Sequence, residues 1–150
     1  MIPVKTQQNP SPNSNTNHRP LEGRRVLLVD DGVDNQRLFS IILKKADVDL
    51  TTAFNGQEGV DAVEKSLEDG KPFDVILMDM QMPVMDGLTA TKIIREKGVE
   101  IPILVLTANA IQEDQDKCHA AGCTGFLTKP ILRDTLIAAV TNNICQPVCK

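Results

Sequence analysis

Five polar residues of this 150-residue sequence stand directly after short apolar runs: Asp30 and Asp31 after VLLV, Asp79 after VILM, Thr107 after ILVL and Lys129 after GFLT. Three acids brought into one crevice would repel one another and be costly unless a cation joined them. Hard oxygen donors in a small cluster suit Mg²⁺ or Mn²⁺. A lysine and a hydroxyl beside such a metal supply fixed charge and donors for the oxygens of an incoming phosphoryl group. Taken singly, each residue has an ordinary reading. An Asp at a strand end is usually a cap or a solvated turn residue, and Thr is a common β-branched strand residue. Only the elements that carry them can make them a set.

Those elements alternate regularly from Arg25 onward. Residues 26–29 form a continuous apolar run, as expected of a strand buried on both faces. A helix follows over 34–46, with Phe39, Ile42, Leu43 and Ala46 at helical spacing. A second strand is expected over 49–54, then an Asn55-Gly56 turn into a helix with Val60, Val63 and Leu67 on one side. A third strand over 74–78 ends at Asp79. Asp86 caps a helix that Gly98 stops. The remaining units are strand 101–106, a polar helix 111–121, strand 125–128 and a last helix 132–145. Five βα units with near-continuous apolar strands mean a parallel sheet covered by helices on both faces. In such sheets the ligand site lies beyond the carboxyl ends of the strands, at the topological switch point. All five polar residues are expected there.

Length and composition narrow the field. The chain is of one-domain size, 41% hydrophobic and 24% charged, so a core can form. No apolar run approaches a membrane span, and no signal-peptide core is present. Residues 1–22 are read as a disordered linker or tail, 23–146 as the folded domain and 147–150 as a short C-terminal tail. The first twenty residues hold only Lys5 and Arg19 as charges, which leaves 14 of the 16 cations against all 20 acids, a charge near −6. That argues against a nucleic-acid surface. With four Phe and no Trp or Tyr, an aromatic-lined RNA or sugar site is excluded. Four cysteines (Cys118, Cys123, Cys145, Cys149) are too sparse for a secreted scaffold and fit a reducing cytoplasm. Their spacing with His119 is not that of a zinc site, and Cys118 is expected to be buried.

The motifs VLLVDDG (26–32), VILMDMQMPVMDG (75–87), ILVLTANA (103–110) and GFLTKP (125–130) together resemble the receiver (response-regulator) domains of two-component phosphorelays, over roughly residues 24–145. DMQMPVMDG is most similar to receivers attached to hybrid histidine kinases. The resemblance implies a flavodoxin-like, doubly wound (βα)₅ fold with strand order 2-1-3-4-5. It implies Asp79 as phosphoacceptor, Mg²⁺ held by Asp30, Asp31, Asp79 and the backbone carbonyl of Gln81, and Thr107 and Lys129 on the phosphoryl group. Pro130 would follow through a cis bond, and Thr107, Phe126 and Pro130 would form a switch acting on the last helices and strand. Phe126 is equally well read as simple core. Gly32 departs from the Asn that hybrid-type receivers often carry. The partners implied are a histidine kinase or a histidine phosphotransfer domain. Such a domain would phosphorylate and dephosphorylate itself without turning over a separate substrate.

Two other classes compete. An aspartyl-nucleophile, Mg²⁺-dependent phosphatase also places an Asp at a parallel-sheet edge, but it needs a second carboxylate two positions on. Here that position is Gln81, which cannot exchange a proton. A flavodoxin-like nucleotide binder needs a phosphate loop of Ser, Thr and Gly after strand one, whereas Asp-Asp-Gly would repel phosphate. Finally, Leu38 and Ile41 fall outside the inward stripe of the first helix, beside Asp34 and Lys45. This apolar pair is expected either to dock a phosphohistidine donor or to widen the buried face.

Overall fold

The structure, a computed structural model, describes residues 21–108 and 112–145, the side chains of residues 112–114 and 145 excepted. Of the tails expected over residues 1–22 and 147–150, residues 1–20 and all of 147–150, with Cys149, lie outside the described residues. The chain runs β1 (Arg25–Val29), α1 (Val33–Lys45), β2 (Asp49–Ala53), α2 (Gly56–Glu68), β3 (Val75–Asp79), α3 (Gly87–Glu96), β4 (Ile103–Thr107), α4 (Gln112–Ala121), β5 (Gly125–Thr128) and α5 (Arg133–Cys145). All strands are parallel, in the order β2-β1-β3-β4-β5, as the resemblance implies.

Alternation along each strand divides the core in two. Val26 and Leu28 pack with Phe39, Ile42 and Leu43 of α1 and Leu136, Val140 and Ile144 of α5. Leu27 and Val29 face Val60 and Val63 of α2, Ala90 and Ile94 of α3, and Cys118 of α4. Every residue of β3 and β4 is buried, which is why those strands read as unbroken apolar runs. Helix starts are fixed locally. Asn55 Oδ1 accepts from Glu58 N at 2.9 Å while Glu58 Oε1 accepts from Phe54 N at 2.9 Å, a reciprocal cap. Asp86 Oδ1 accepts from Thr89 N at 2.8 Å.

Two expectations shift. Leu67 is 44% exposed. The inward face of α2 runs instead through Gly59, Val60, Val63 and Ser66, and Ser66 is satisfied by donating its hydroxyl to Val63 O at 2.7 Å. At the other end, Leu21, read as tail, is 2% exposed within the α1/α5 core. The turn behind it is closed by Arg24 N to Leu21 O at 3.0 Å and Gly23 N to Asp47 O at 2.9 Å. A lone leucine after a polar stretch has no periodic neighbours to reveal it.

The edge strand β5 is the shortest and least buried, and it is held at its start. Arg95 of α3 donates Nε to Gly122 O at 2.9 Å and Nη1 to Val99 O at 2.8 Å, with Nη2 3.4 Å from Thr124 Oγ1. Thr124 Oγ1 accepts from Ile103 N at 3.0 Å. Gly122 has φ +100°, and a Cβ there would press on Arg95; glycine is required on both counts.

Leu21→Ala should destabilise the chain by about 3 kcal/mol, as removal of a buried leucine does. Urea unfolding followed by circular dichroism checks this, and an unchanged midpoint would return Leu21 to the tail.

Candidate functional site

β1 and β3 are neighbours, with Val29 opposite Met78, so the residues that follow come together at the carboxyl edge. Asp30 is fully buried, Asp79 is 5% exposed and Asp31 is exposed. One carboxylate oxygen from each lies within 4.8 Å of the others. Asp30 Oδ1 accepts from Gly32 N at 2.8 Å, but Asp30 Oδ2 is buried with no hydrogen-bond partner. A buried carboxylate oxygen left in this way beside two further acids fits a hard cation, and all the donors are of the right kind.

Lys129 reaches the cluster from two strands away. Its backbone N–H donates to Thr107 O at 2.7 Å, fixing the chain just after β5. Its side chain then extends past the end of β4 to place Nζ 3.0 Å from Asp79 Oδ1 and 3.9 Å from Asp30 Oδ2. Lys129–Pro130 is cis, as the resemblance implies. Thr107 is buried, its hydroxyl donating to Met80 Sδ at 3.6 Å, a weak acceptor. Asp79, Met80, Gln81, Leu106, Thr107, Ala108 and Lys129 line one cleft. Phe126, opposite Val105, is partly buried against the α2/α3/α4 core.

Burial pushes the Asp79 carboxyl above its ordinary value. The hydrogen bond from Lys129 opposes this, and the charge of Asp30 reinforces it. Cys118 is buried, as expected, while Cys123 beside it is pushed up to about 12, chiefly by burial and then by Cys118.

Three features of the site were not read from the sequence. Gly87 lets α3 start against the edge, since a Cβ there would collide with the carbonyl oxygen of Asp79. The β3–α3 loop holds a tight turn, Met85 N to Pro83 O at 2.7 Å, with Val84 at φ +69°, a strained conformation for a β-branched residue. Gln36 is 7% exposed and donates Nε2 to two carbonyls, Asp30 O at 2.8 Å and Ala53 O at 2.6 Å. Its signal was a polar residue three before Phe39 and seven before Leu43, on an otherwise apolar stripe. Leu38 and Ile41 are each 51% exposed, so α1 does not bury the wider face.

Comparison with known proteins agrees with this geometry. The sequence matches the response regulator receiver domain family over residues 26–141. It is 37% identical to histidine kinase 1 of Arabidopsis thaliana over 156 residues, covering 83% of this chain but 13% of that protein. The receiver domain of sensor histidine kinase PA1611 from Pseudomonas aeruginosa, crystallised with magnesium coordinated in its active-site cleft, is similar at TM-score 0.72 and 36% identity, covering 81% of this chain and 98% of that one. A chain from the co-crystal of the Saccharomyces cerevisiae histidine phosphotransfer protein Ypd1 with the receiver domain of Ssk1 is similar at TM-score 0.74 and 31% identity, covering 85% and 92%.

Because the Asp79 carboxyl lies above its ordinary value when folded, its contribution favours folding most where it is protonated in both states. That contribution is lost as pH rises through the folded value. In metal-free buffer at neutral pH, Asp79→Asn should therefore melt higher than the unsubstituted chain, and the difference should shrink on acidification toward the ordinary carboxylate value. Thermal melts by circular dichroism in chelator measure it. A lower melting point at neutral pH would contradict the crowding of charge.

Proposed function

The chain belongs to the response regulator receiver domain family, the signalling domains of two-component phosphorelays, and on that footing we propose that Asp79 accepts a phosphoryl group from phosphohistidine in a Mg²⁺-dependent reaction. The observation that carries this is the meeting of Asp30, Asp31 and Asp79 within 4.8 Å, with Lys129 Nζ 3.0 Å from Asp79. Asp30, Asp31, Asp79 and the backbone carbonyl of Gln81 would hold Mg²⁺. When bound, the ion neutralises the clustered carboxylates and the phosphoryl oxygens. The magnesium reported in the related PA1611 receiver supports this choice; Mn²⁺, equally suited to oxygen donors, has no such support.

The side chains of this site divide the remaining work. Lys129 donates to Asp79 Oδ1 at 3.0 Å and favours the ionised carboxylate, opposing the effect of burial. A carboxylate oxygen of Asp79 forms the new O–P bond as the P–N bond to the donor imidazole breaks and the imidazole takes up a proton. Thr107, whose hydroxyl now rests on a thioether, turns to a phosphoryl oxygen, a much stronger acceptor. Phe126, on the strand paired with that of Thr107, follows it, and the change spreads over α4, β5 and α5. The domain carries the group on itself and turns over no separate substrate.

The chain spans 13% of the length of the Arabidopsis kinase it matches, and we read it as the receiver of a hybrid histidine kinase. Cys118 and Cys123 form no disulfide among the described residues, which agrees with a reducing, cytoplasmic compartment. The donor would be a histidine kinase or histidine phosphotransfer domain seated on Leu38 and Ile41. A groove lined by Asn35, Leu38, Phe39, Lys129, Pro130 and Ile131 carries that surface to the phosphorylation site.

Acetyl phosphate with Mg²⁺ should phosphorylate the chain, whereas chelator or Asp79→Asn should abolish the product. Intact-mass spectrometry reads the result, and a phosphorylated Asp79→Asn chain would refute the assignment. Leu38→Ser with Ile41→Ser should leave the melting point and acetyl phosphate labelling near those of the parent. Transfer from a phosphohistidine donor should slow about tenfold, or about 1.4 kcal/mol. A collapse of melting point with both routes failing would make the pair core.

A further inference from the structure

Among the described residues, the Gln36 side chain hydrogen-bonds main-chain oxygens and no carboxylate oxygen of the acidic cluster. Its amide Nε2 donates to Asp30 O at 2.8 Å and Ala53 O at 2.6 Å, so one side chain joins the carboxyl ends of β1 and β2. Asp30 N also donates to Ala53 O, at 3.1 Å, and Gln36 N donates to Gly32 O at 2.9 Å. With Gly32 N on Asp30 Oδ1 at 2.8 Å, these bonds close a ring around the turn that carries both acids. The peptide between Asp30 and Asp31 is thereby fixed at its carbonyl, and that carbonyl determines where the exposed Asp31 side chain starts. A buried amide is tolerated only when its N–H groups are taken up, and here both go to main-chain oxygens at the carboxyl ends of β1 and β2.

We propose that Gln36 is a positioning residue for the cation site, holding the Asp30–Asp31 peptide so that Asp31 converges with Asp30 and Asp79. The proposal rests on the reading of those three acids as a Mg²⁺ site. Without the amide, the Asp30 carbonyl loses the donor shown for it, the peptide can rotate, and Asp31, free of burial, drifts toward solvent.

Calorimetric titration of Mg²⁺ into the full chain tests this, with Gln36→Met as the nearly isosteric variant that lacks donors. Its Mg²⁺ dissociation constant should rise about tenfold, the lower end of what loss of an outer partner does to a metal site. In acetyl phosphate labelling, half-saturating Mg²⁺ should rise by the same factor while the rate at saturating Mg²⁺ stays near that of the parent. A merely structural glutamine would lower the melting point in chelator and leave the dissociation constant alone. If Gln36→Met does not fold, Gln36→Asn takes its place, because it keeps a hydratable amide yet is one methylene too short to bridge both carbonyls. Parental Mg²⁺ affinity in whichever variant folds overturns the proposal. Absence of Mg²⁺ binding by the unsubstituted chain overturns the metal reading beneath it.

Discussion

Three carboxylates within 4.8 Å of one another are a standing repulsion at the edge of the sheet, and Lys129 Nζ, 3.0 Å from Asp79, is the cation that opposes it. The rest of the architecture holds these charges where they would not settle unaided. Asp79 ends β3, the central strand, and Asp30 directly follows β1 beside it, where burial strengthens every charge interaction. Lys129 is delivered from the edge strand by a side chain long enough to cross the end of β4. A shorter cation on β4 itself would occupy the place where Thr107 presents its hydroxyl.

That arrangement tolerates little movement, and the packing allows little. The sheet is buried on both faces by two separate cores, one under α1 and α5 and the other under α2, α3 and α4. α3 can begin against the carbonyl of Asp79 because residue 87 has no side chain. The β3–α3 loop meanwhile keeps Val84 in a conformation disfavoured for its type, held by backbone hydrogen bonds on either side of it, Gly56 N to Met85 O and Gly87 N to Met80 O, both at 3.0 Å. Strain and close approach both occur beside Asp79.

Much of this was legible in the sequence because the relevant signals are local. Continuous apolar runs marked the buried strands, and the polar residue ending each run marked the site. Asp86 and Gly98 marked the limits of α3. What was illegible depends on pairs distant in sequence. Gln36 is buried because the carbonyls of Asp30 and Ala53 converge on its amide, and the second of these lies 17 residues away. Leu67 had the spacing of a core residue, but the inward face of α2 turns through Ser66 instead. Leu21 offered no pattern at all, because one residue against a core carries no period. Leu38 and Ile41 were read as either surface or core, and the inward face of α1 is filled by Gln36, Phe39, Ile42 and Leu43, which leaves both exposed.

The Arg95 staple has a mechanical consequence. It fastens the turn after α4 to the end of α3 through Gly122 and Val99, so α4 is tethered at its C-terminal end. Helix α4 is ten residues long, about 15 Å. Pivoting about that tether would leave Ala121 almost in place, and a tilt of about 10° would carry the Gln112 end through about 2.6 Å. Motion of α4 would thus be that of a hinged arm, with its amplitude concentrated at the N-terminal end, the one that follows β4.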